Sequence, residues 1–249
     1  RKRAAQALGV NAENIFFTSG GTEGDHIAIL SVLNRPQKGS VVLSSIEHPA
    51  LREMTKSMQN CGWKVINVNP DKNGIVCAQS ISNALQEDTA FVSVMAVNNE
   101  TGAIQPIYEI AKIIEEKTKG KRKPFFHVDC VQAAGKIPLN LKASGIDSAS
   151  FSAHKIGGPR GVGILYLAKE LNSFLKGGGQ EKTVRSGTEN LFGAEAFSLC
   201  LEKYFISERN TSAEKKVEQL KILTANFIKK LKEIKCCVLI PHCSEGEKF

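Results

Sequence analysis

Between residues 14 and 167 short apolar runs alternate with helical patterns, and most of the runs end in glycines or small polar residues. Strands are expected over 14–18, 41–45, 64–68, 91–97, 124–128, 148–151 and 163–167. Helices are expected over 23–33, 49–59, 80–86 and 107–117, the last with Ile107, Ile110, Ile113 and Ile114 on one face. Such βα alternation predicts an α/β fold: a mostly parallel sheet covered by helices, with right-handed crossovers. Reactive groups in these sheets belong at the carboxyl ends of the strands. Polar clusters fall there: residues 19–22, His48, Asn98-Asn99-Glu100, 129–132 and 152–155.

Composition limits the alternatives. The 249 residues are 42% apolar and 23% charged, which is globular composition. The length suits one large domain of up to ~250 residues, or one domain with part of another. No apolar run approaches the ~18 residues of a membrane helix. The chain opens on Arg1, with helical sequence over 1–8 and no signal-peptide core, so a fragment is expected. Seven scattered cysteines form no CxxC pair and no zinc-ligand spacing, which points to a reducing cytoplasm and no metal. The adjacent Cys236 and Cys237 read as buried small apolar residues at a helix end or strand start. The net charge of +8 sits in Arg1-Lys2-Arg3, in the KTKGKRK run over 117–123 and in the last 40 or so residues. No aromatics interleave with these lysines, so solvated faces are expected and nucleic-acid binding is not; attraction of an anionic small molecule or an acidic partner protein is the alternative.

From Thr211 the pattern changes. Val217, Leu220, Leu223, Phe227, Leu231 and Ile234 recur three or four apart, the mark of one long amphipathic helix with a basic outer face. A strand is expected over 236–240. The division is therefore a large domain over 1–208, and over 209–249 the start of a smaller α/β domain.

Three clusters suggest chemistry. In TSGGTEG (18–24) a strand ends, two glycines turn the chain and a helix begins, which makes a phosphate cup from free N–H groups and hydroxyls. It is neither a dinucleotide nor an NTP fingerprint, and a turn capped by Thr22 is the simpler alternative. In FFHVD (125–129) an Asp ends an apolar strand, where its charge needs a partner such as a protonated ring nitrogen; a helix N-cap is the alternative. In FSAHK (151–155) a Lys ends a strand beside a His and below a Gly-rich loop. A lysine held in a low-dielectric pocket has a lowered pKa and can form a Schiff base; an ordinary loop lysine is the alternative. Together a phosphate cup, an Asp, a Lys and His48 at one sheet edge are the parts of a pyridoxal 5′-phosphate site.

The ordered motifs TSGGTEG, IEHPA, VNNETG, HVDCVQ, FSAHKIGGP and GGGQEKTVRSGTEN resemble the cysteine desulfurases and their relative selenocysteine lyase, of the class V aminotransferases, from about residue 5 to about residue 205. The resemblance implies the aspartate aminotransferase-like fold (fold type I). It implies that Lys155 is the Schiff-base lysine, that Asp129 pairs with the pyridine nitrogen, and that Gln132 and Asn99 lie near the phenolic oxygen. His48 would stack on the ring and move protons. Gly21, Thr22, Ser152 and His154 would hold the phosphate, and Thr188 would reach the phosphate of a second subunit in a homodimer. The implied reaction converts L-cysteine to L-alanine and leaves persulfide sulfur on an enzyme cysteine, for an iron–sulfur scaffold or a tRNA-thiolation protein.

The family's nucleophilic cysteine and its carboxylate-binding arginine lie downstream of the long helix, beyond residue 249. A truncated chain is therefore expected to bind cofactor only in part and to lack full turnover. Gly24-Asp25-His26 stands where Ser-Asp-Asn is more usual, with His26 expected on a helix surface. Selenocysteine lyase or another class V lyase, and a non-catalytic dimerising paralogue, remain alternatives. Lys155, Asp129, His48 and Gln132 together speak against the paralogue.

Overall fold

The computed structural model describes residues 1–142, 144–205 and 212–239, with the backbone alone over 212–217. Its centre is a seven-stranded sheet of order β1-β7-β6-β5-β4-β2-β3. The strands are β1 (Ile15–Thr18), β2 (Ser40–Ser44), β3 (Lys64–Val68), β4 (Thr89–Ser93), β5 (Phe125–Asp129), β6 (Ser148–Ser152) and β7 (Gly163–Leu167). β2, β4, β6 and β7 are buried along their whole length, which explains their nearly unbroken small and apolar sequence.

The expected parallel sheet is present, with one exception. β7 runs antiparallel to both β1 and β6. Its length, composition and boundaries match the expectation, but strand direction leaves no trace in a five-residue apolar run. β1 and β6 consequently point the same way as the other strands, so six carboxyl ends share one edge. At that edge Gly163 faces both Thr18 and Ser152. A Cβ on Gly163 would lie 2.6 Å from the Gly20 carbonyl carbon and from the Phe151 oxygen. Glycine is what lets the three chains meet there.

The helices are α1 (Lys2–Leu8), α2 (Gly21–Leu30), α3 (Pro49–Asn60), α4 (Ala78–Ala84), α5 (Ile107–Lys117), α6 (Leu191–Phe205) and α7 (Ser212–Lys232). α5 buries Ile107, Ile110, Ala111 and Ile114 in the main core. α3 starts with Pro49 in its first turn, and its cap His48 accepts at Nδ1 from Ala50 N at 3.2 Å. The helix expected over 23–33 is α2 followed by a 3₁₀ turn, Ser31–Asn34. The strand expected over 91–97 ends at Ser93, and Val97 instead bridges Ile104. α6, for which no helix was expected, packs on α1.

Two expectations fail near the carboxyl terminus. Residues 236–239 form no strand, and Ile240 lies outside the described residues. Cys236 and Cys237 are exposed, not buried, because they sit beyond the end of α7 with no sheet to enter. The long helix itself is present, but Leu220, Leu223, Phe227 and Ile234 are all exposed. Cys243 also lies outside the described residues.

Candidate functional site

A cleft of about 150 Å³ opens at the shared carboxyl edge. It is lined by Gly21 and Thr22 from the start of α2, His48 from the start of α3, Asn99 after β4, Gln132 after β5, and Ser152, His154 and Lys155 around the end of β6. Asp129, the last residue of β5, lies in its wall. Nine of the ten expected site residues thus meet in one place. Thr188 is the tenth. It is exposed and lines a neighbouring depression with Arg185 and Asn190 instead.

The cup at α2 is built by two close approaches. Gly20 caps the ten-residue helix without any side-chain hydrogen bond, which leaves the first-turn N–H groups open. A Cβ on Gly21 would lie 2.5 Å from Val131 Cγ2, so only glycine lets α2 begin against the turn after β5. The one acidic residue of the first turn, Glu23, is drawn aside. It accepts from Ser19 N and, at 3.1 Å, from Arg185 Nε. Opposite the cup the Ser152 hydroxyl and His154 Nδ1 are 2.9 Å apart. Hydroxyls, an imidazole and open N–H groups without a facing carboxylate suit an anion such as a phosphate.

The floor has the opposite character. Asp129 is buried, and among the described residues its carboxylate accepts one hydrogen bond, from Val131 N at 2.8 Å. The helix-cap alternative is therefore partly realised, since Asp129 caps a turn. Burial, and then the nearby Asp25, push the Asp129 carboxyl up to about 8. Asp25 is buried too, raised by desolvation to about 7, and lies 3.0 Å from Nε2 of the fully buried His127. Burial lowers His127 to about 4. On its other side the His127 ring places Nδ1 2.7 Å from Ser148 Oγ, so both ring nitrogens have polar partners. Glu47 completes the acidic floor. Its oxygens accept from Met95 N at 2.6 Å and Ser93 Oγ at 3.3 Å, and burial followed by Asp129 raises its carboxyl well above the ordinary range.

Lys155 is exposed at the rim on a 3₁₀ turn, Ala153–Ile156, and so is not enclosed in a low-dielectric pocket. Its charge reaches the site nonetheless. It lowers the Asp129 carboxyl, and after desolvation it is the next cause holding His48 below its usual value. Gln132 accepts at Oε1 from Lys136 Nζ at 2.7 Å, which fixes the amide and leaves its NH₂ as donor. Asn98 shapes the loop that presents Asn99: it accepts from Thr101 N at 2.8 Å and donates to Ile46 O at 3.0 Å.

Several contributors escaped the sequence reading. Asp25 lies one helical turn beyond Gly21 on the same face, a signal that was available. Glu47 adjoins His48, but nothing local says that its side chain turns inward. Gly24 now has a reason as well. A Cβ there would meet Ser150 Oγ at 2.6 Å, and Ser150 hydrogen-bonds Asp25. His26 is half-buried, with Nε2 3.1 Å from Ala50 O, and ties α2 to α3 rather than facing solvent.

The sequence matches the class V aminotransferase family over residues 1–246. The chain belongs to that family. It is 42% identical over 197 residues to cysteine desulfurase IscS of Methanosarcina thermophila, covering 78% of this chain and 48% of that protein. It is 36% identical over 233 residues to putative cysteine desulfurase IscS 1 of Bacillus subtilis, covering 92% and 60%. Among solved structures, a NifS-like protein superposes with a TM-score of 0.81 at 36% identity, covering 93% of this chain and 61% of that one. A NifS-like protein from Rickettsia africae gives 0.78 at 31%, covering 97% and 66%. This class V aminotransferase-fold chain thus spans about half to three-fifths of the length of the curated relatives it matches. No helix among its described residues is long and apolar enough to cross a membrane.

Proposed function

We propose that the chain provides the pyridoxal phosphate site of a cysteine desulfurase, acting on L-cysteine. The observation that supports this reading best is the polarity of the cleft: an anion-seeking cup at one end, buried carboxyls at the other and an amine at the rim. When bound, the cofactor would supply an electron sink for carbanion chemistry at the substrate Cα.

The residues suit that group. Gly21, Thr22, Ser152 and His154 would hold its phosphate. Asp129 would hold a proton on the ring nitrogen, and the resulting ion pair relieves the desolvated carboxyl. Gln132 offers an amide NH₂, and Asn99 a further amide, to the phenolic oxygen. His48 would cover the ring, and its lowered pKa keeps it neutral and able to accept a proton at neutral pH. Lys155 Nζ would anchor the aldehyde carbon and take the proton from the substrate Cα. Thr188, outside the cleft, is free to serve a second copy of the chain, so a homodimer belongs to this proposal. So do cytoplasmic location, a protein acceptor for the sulfur and a domain division near residue 208.

The test loads the chain with pyridoxal phosphate and titrates L-cysteine while following the cofactor absorbance. A saturable change with L-cysteine, not seen with D-cysteine and lost in Lys155→Ala, is expected. An absorbance indifferent to L-cysteine, or an equal response to both enantiomers, would contradict the reading.

A further inference from the structure

The opposite, amino edge of the sheet carries a second cleft, larger than the first at about 540 Å³. Four parts of the chain meet there: the 3₁₀ turn after α2 with Arg35, the start of β4 at Ala90, the start of β5 with Arg122 and Phe125, and the segment after β7 with Lys169 and Glu170. Its charge is not balanced. The side chains of Arg35, Arg122 and Lys169 have neither an ion pair nor a hydrogen bond among the described residues. Only one carboxylate, Glu170, stands among them. A fourth cation, Lys123, is already satisfied by Asp147 at 3.3 Å and the Gly145 carbonyl at 2.7 Å.

Arg35 is the sharpest anomaly. It is half-buried, and burial together with the neighbouring Arg122 pushes its guanidinium below the ordinary value. Two guanidiniums without a counterion, one of them partly desolvated, repel each other in the free protein. A fold tolerates this at modest cost, and an anion between them would remove the repulsion. Planar guanidinium forks match phosphate oxygens bidentately, and a phosphomonoester brings a charge of about −1.5 to −2 at pH 7. The floor adds a second requirement. Val32, Ala90 and Leu171 line it, and Phe125 is only partly buried there, with its ring stacked on Phe91 at a centroid distance of 6.2 Å. An apolar floor beneath cations favours an organic body attached to the anion over a bare ion.

We infer that this amino-edge cleft binds a small phosphomonoester, its phosphate between Arg35 and Arg122 with Lys169 beside it, and its apolar or aromatic body on Phe125. The site lies on the edge away from Lys155 and does not depend on the function proposed for that residue. Polar positions also hold the cleft in shape: Asn34 Nδ2 donates to the Asn172 and Ser173 carbonyls at 2.8 and 3.2 Å, which fixes the 3₁₀ turn against the segment after β7.

The test is calorimetric titration of the chain preloaded with pyridoxal phosphate, so that the carboxyl-edge cup is filled. The probes are phenyl phosphate, inorganic phosphate and phenol. Phenyl phosphate is expected to bind more tightly than inorganic phosphate, and phenol not to bind. Arg35→Gln and Arg122→Gln should each weaken phenyl phosphate about ten-fold or more, the loss of one charge-assisted contact. Ser152→Ala, at the other edge, should leave that affinity unchanged. Binding untouched by either arginine substitution, or lost in Ser152→Ala, overturns the assignment. So does the absence of saturable phenyl phosphate binding, or capture of heparin with neither small probe. Equal affinity for both phosphates overturns the apolar half of the site.

Discussion

The two edges of the sheet have opposite electrostatic defects. At the carboxyl edge Asp25, Glu47 and Asp129 are buried close together, and burial drives their carboxyls upward. At the amino edge Arg35 and Arg122 are left without an anion. Other charges are matched, as in the pairing of Arg1 with Glu181 and of Lys123 with Asp147. Both defects border a cleft, so each has room beside it for a ligand of the opposite sign.

The largest expected effect tests the carboxyl edge. Lys155→Ala should abolish borohydride-stable attachment of pyridoxal phosphate altogether, measured by intact mass. Attachment at the wild-type level would remove the lysine from the site.

Packing around Asp25 gives the next largest. Gly24→Ala should destabilise the chain by about 1–3 kcal/mol in denaturant unfolding, because the new methyl meets Ser150. Combining it with Ser150→Gly should recover part of that loss. A neutral Gly24→Ala would mean that α2 does not press on β6.

The buried carboxyls also set a pH dependence. The folded chain holds protons on Asp129 and Asp25 that the unfolded chain releases above about pH 4. Their contribution to stability is complete below that value and declines until the folded-state values of about 8 and about 7 are passed. Cofactor-free protein should therefore lose stability between pH 5 and 9. Asp129→Asn should flatten the decline and raise the thermal midpoint at pH 9 by a few degrees, on the order of 1 kcal/mol. A variant less stable than wild type at pH 9 would break the comparison on this side.

The amino edge should behave alike, more weakly. Arg122→Gln removes a repulsive charge and should stabilise the ligand-free chain by a few tenths of a kcal/mol at low salt, with the gain vanishing at 1 M salt. A loss of stability would show that Arg122 is paired in solution.

Much of the first site was legible and little of the second. Lys155, Asp129 and His48 each follow an apolar run, so the carboxyl-end rule brings them together without knowledge of strand order. β3, β7 and α5 have the expected bounds because a turn or a capping residue marks each end. The direction of β7 and the inward turn of Glu47 depend on contacts between distant segments. The amino-edge cleft depends on them too: the basic run over 117–123 was visible, but only the sheet brings its Arg122 to Arg35 and Lys169. The apolar stripe from Thr211 onward was legible as a pattern, yet its Leu220, Leu223, Phe227 and Ile234 are exposed.

The central claim is that the carboxyl edge is a preorganised pyridoxal phosphate site. Its most direct test is to mix the chain with the cofactor at neutral pH, reduce with borohydride and map the adduct by peptide mass spectrometry. The account predicts a yellow absorbance before reduction and a single modified residue, Lys155. Label spread over the surface lysines, with no absorbance band, would contradict it.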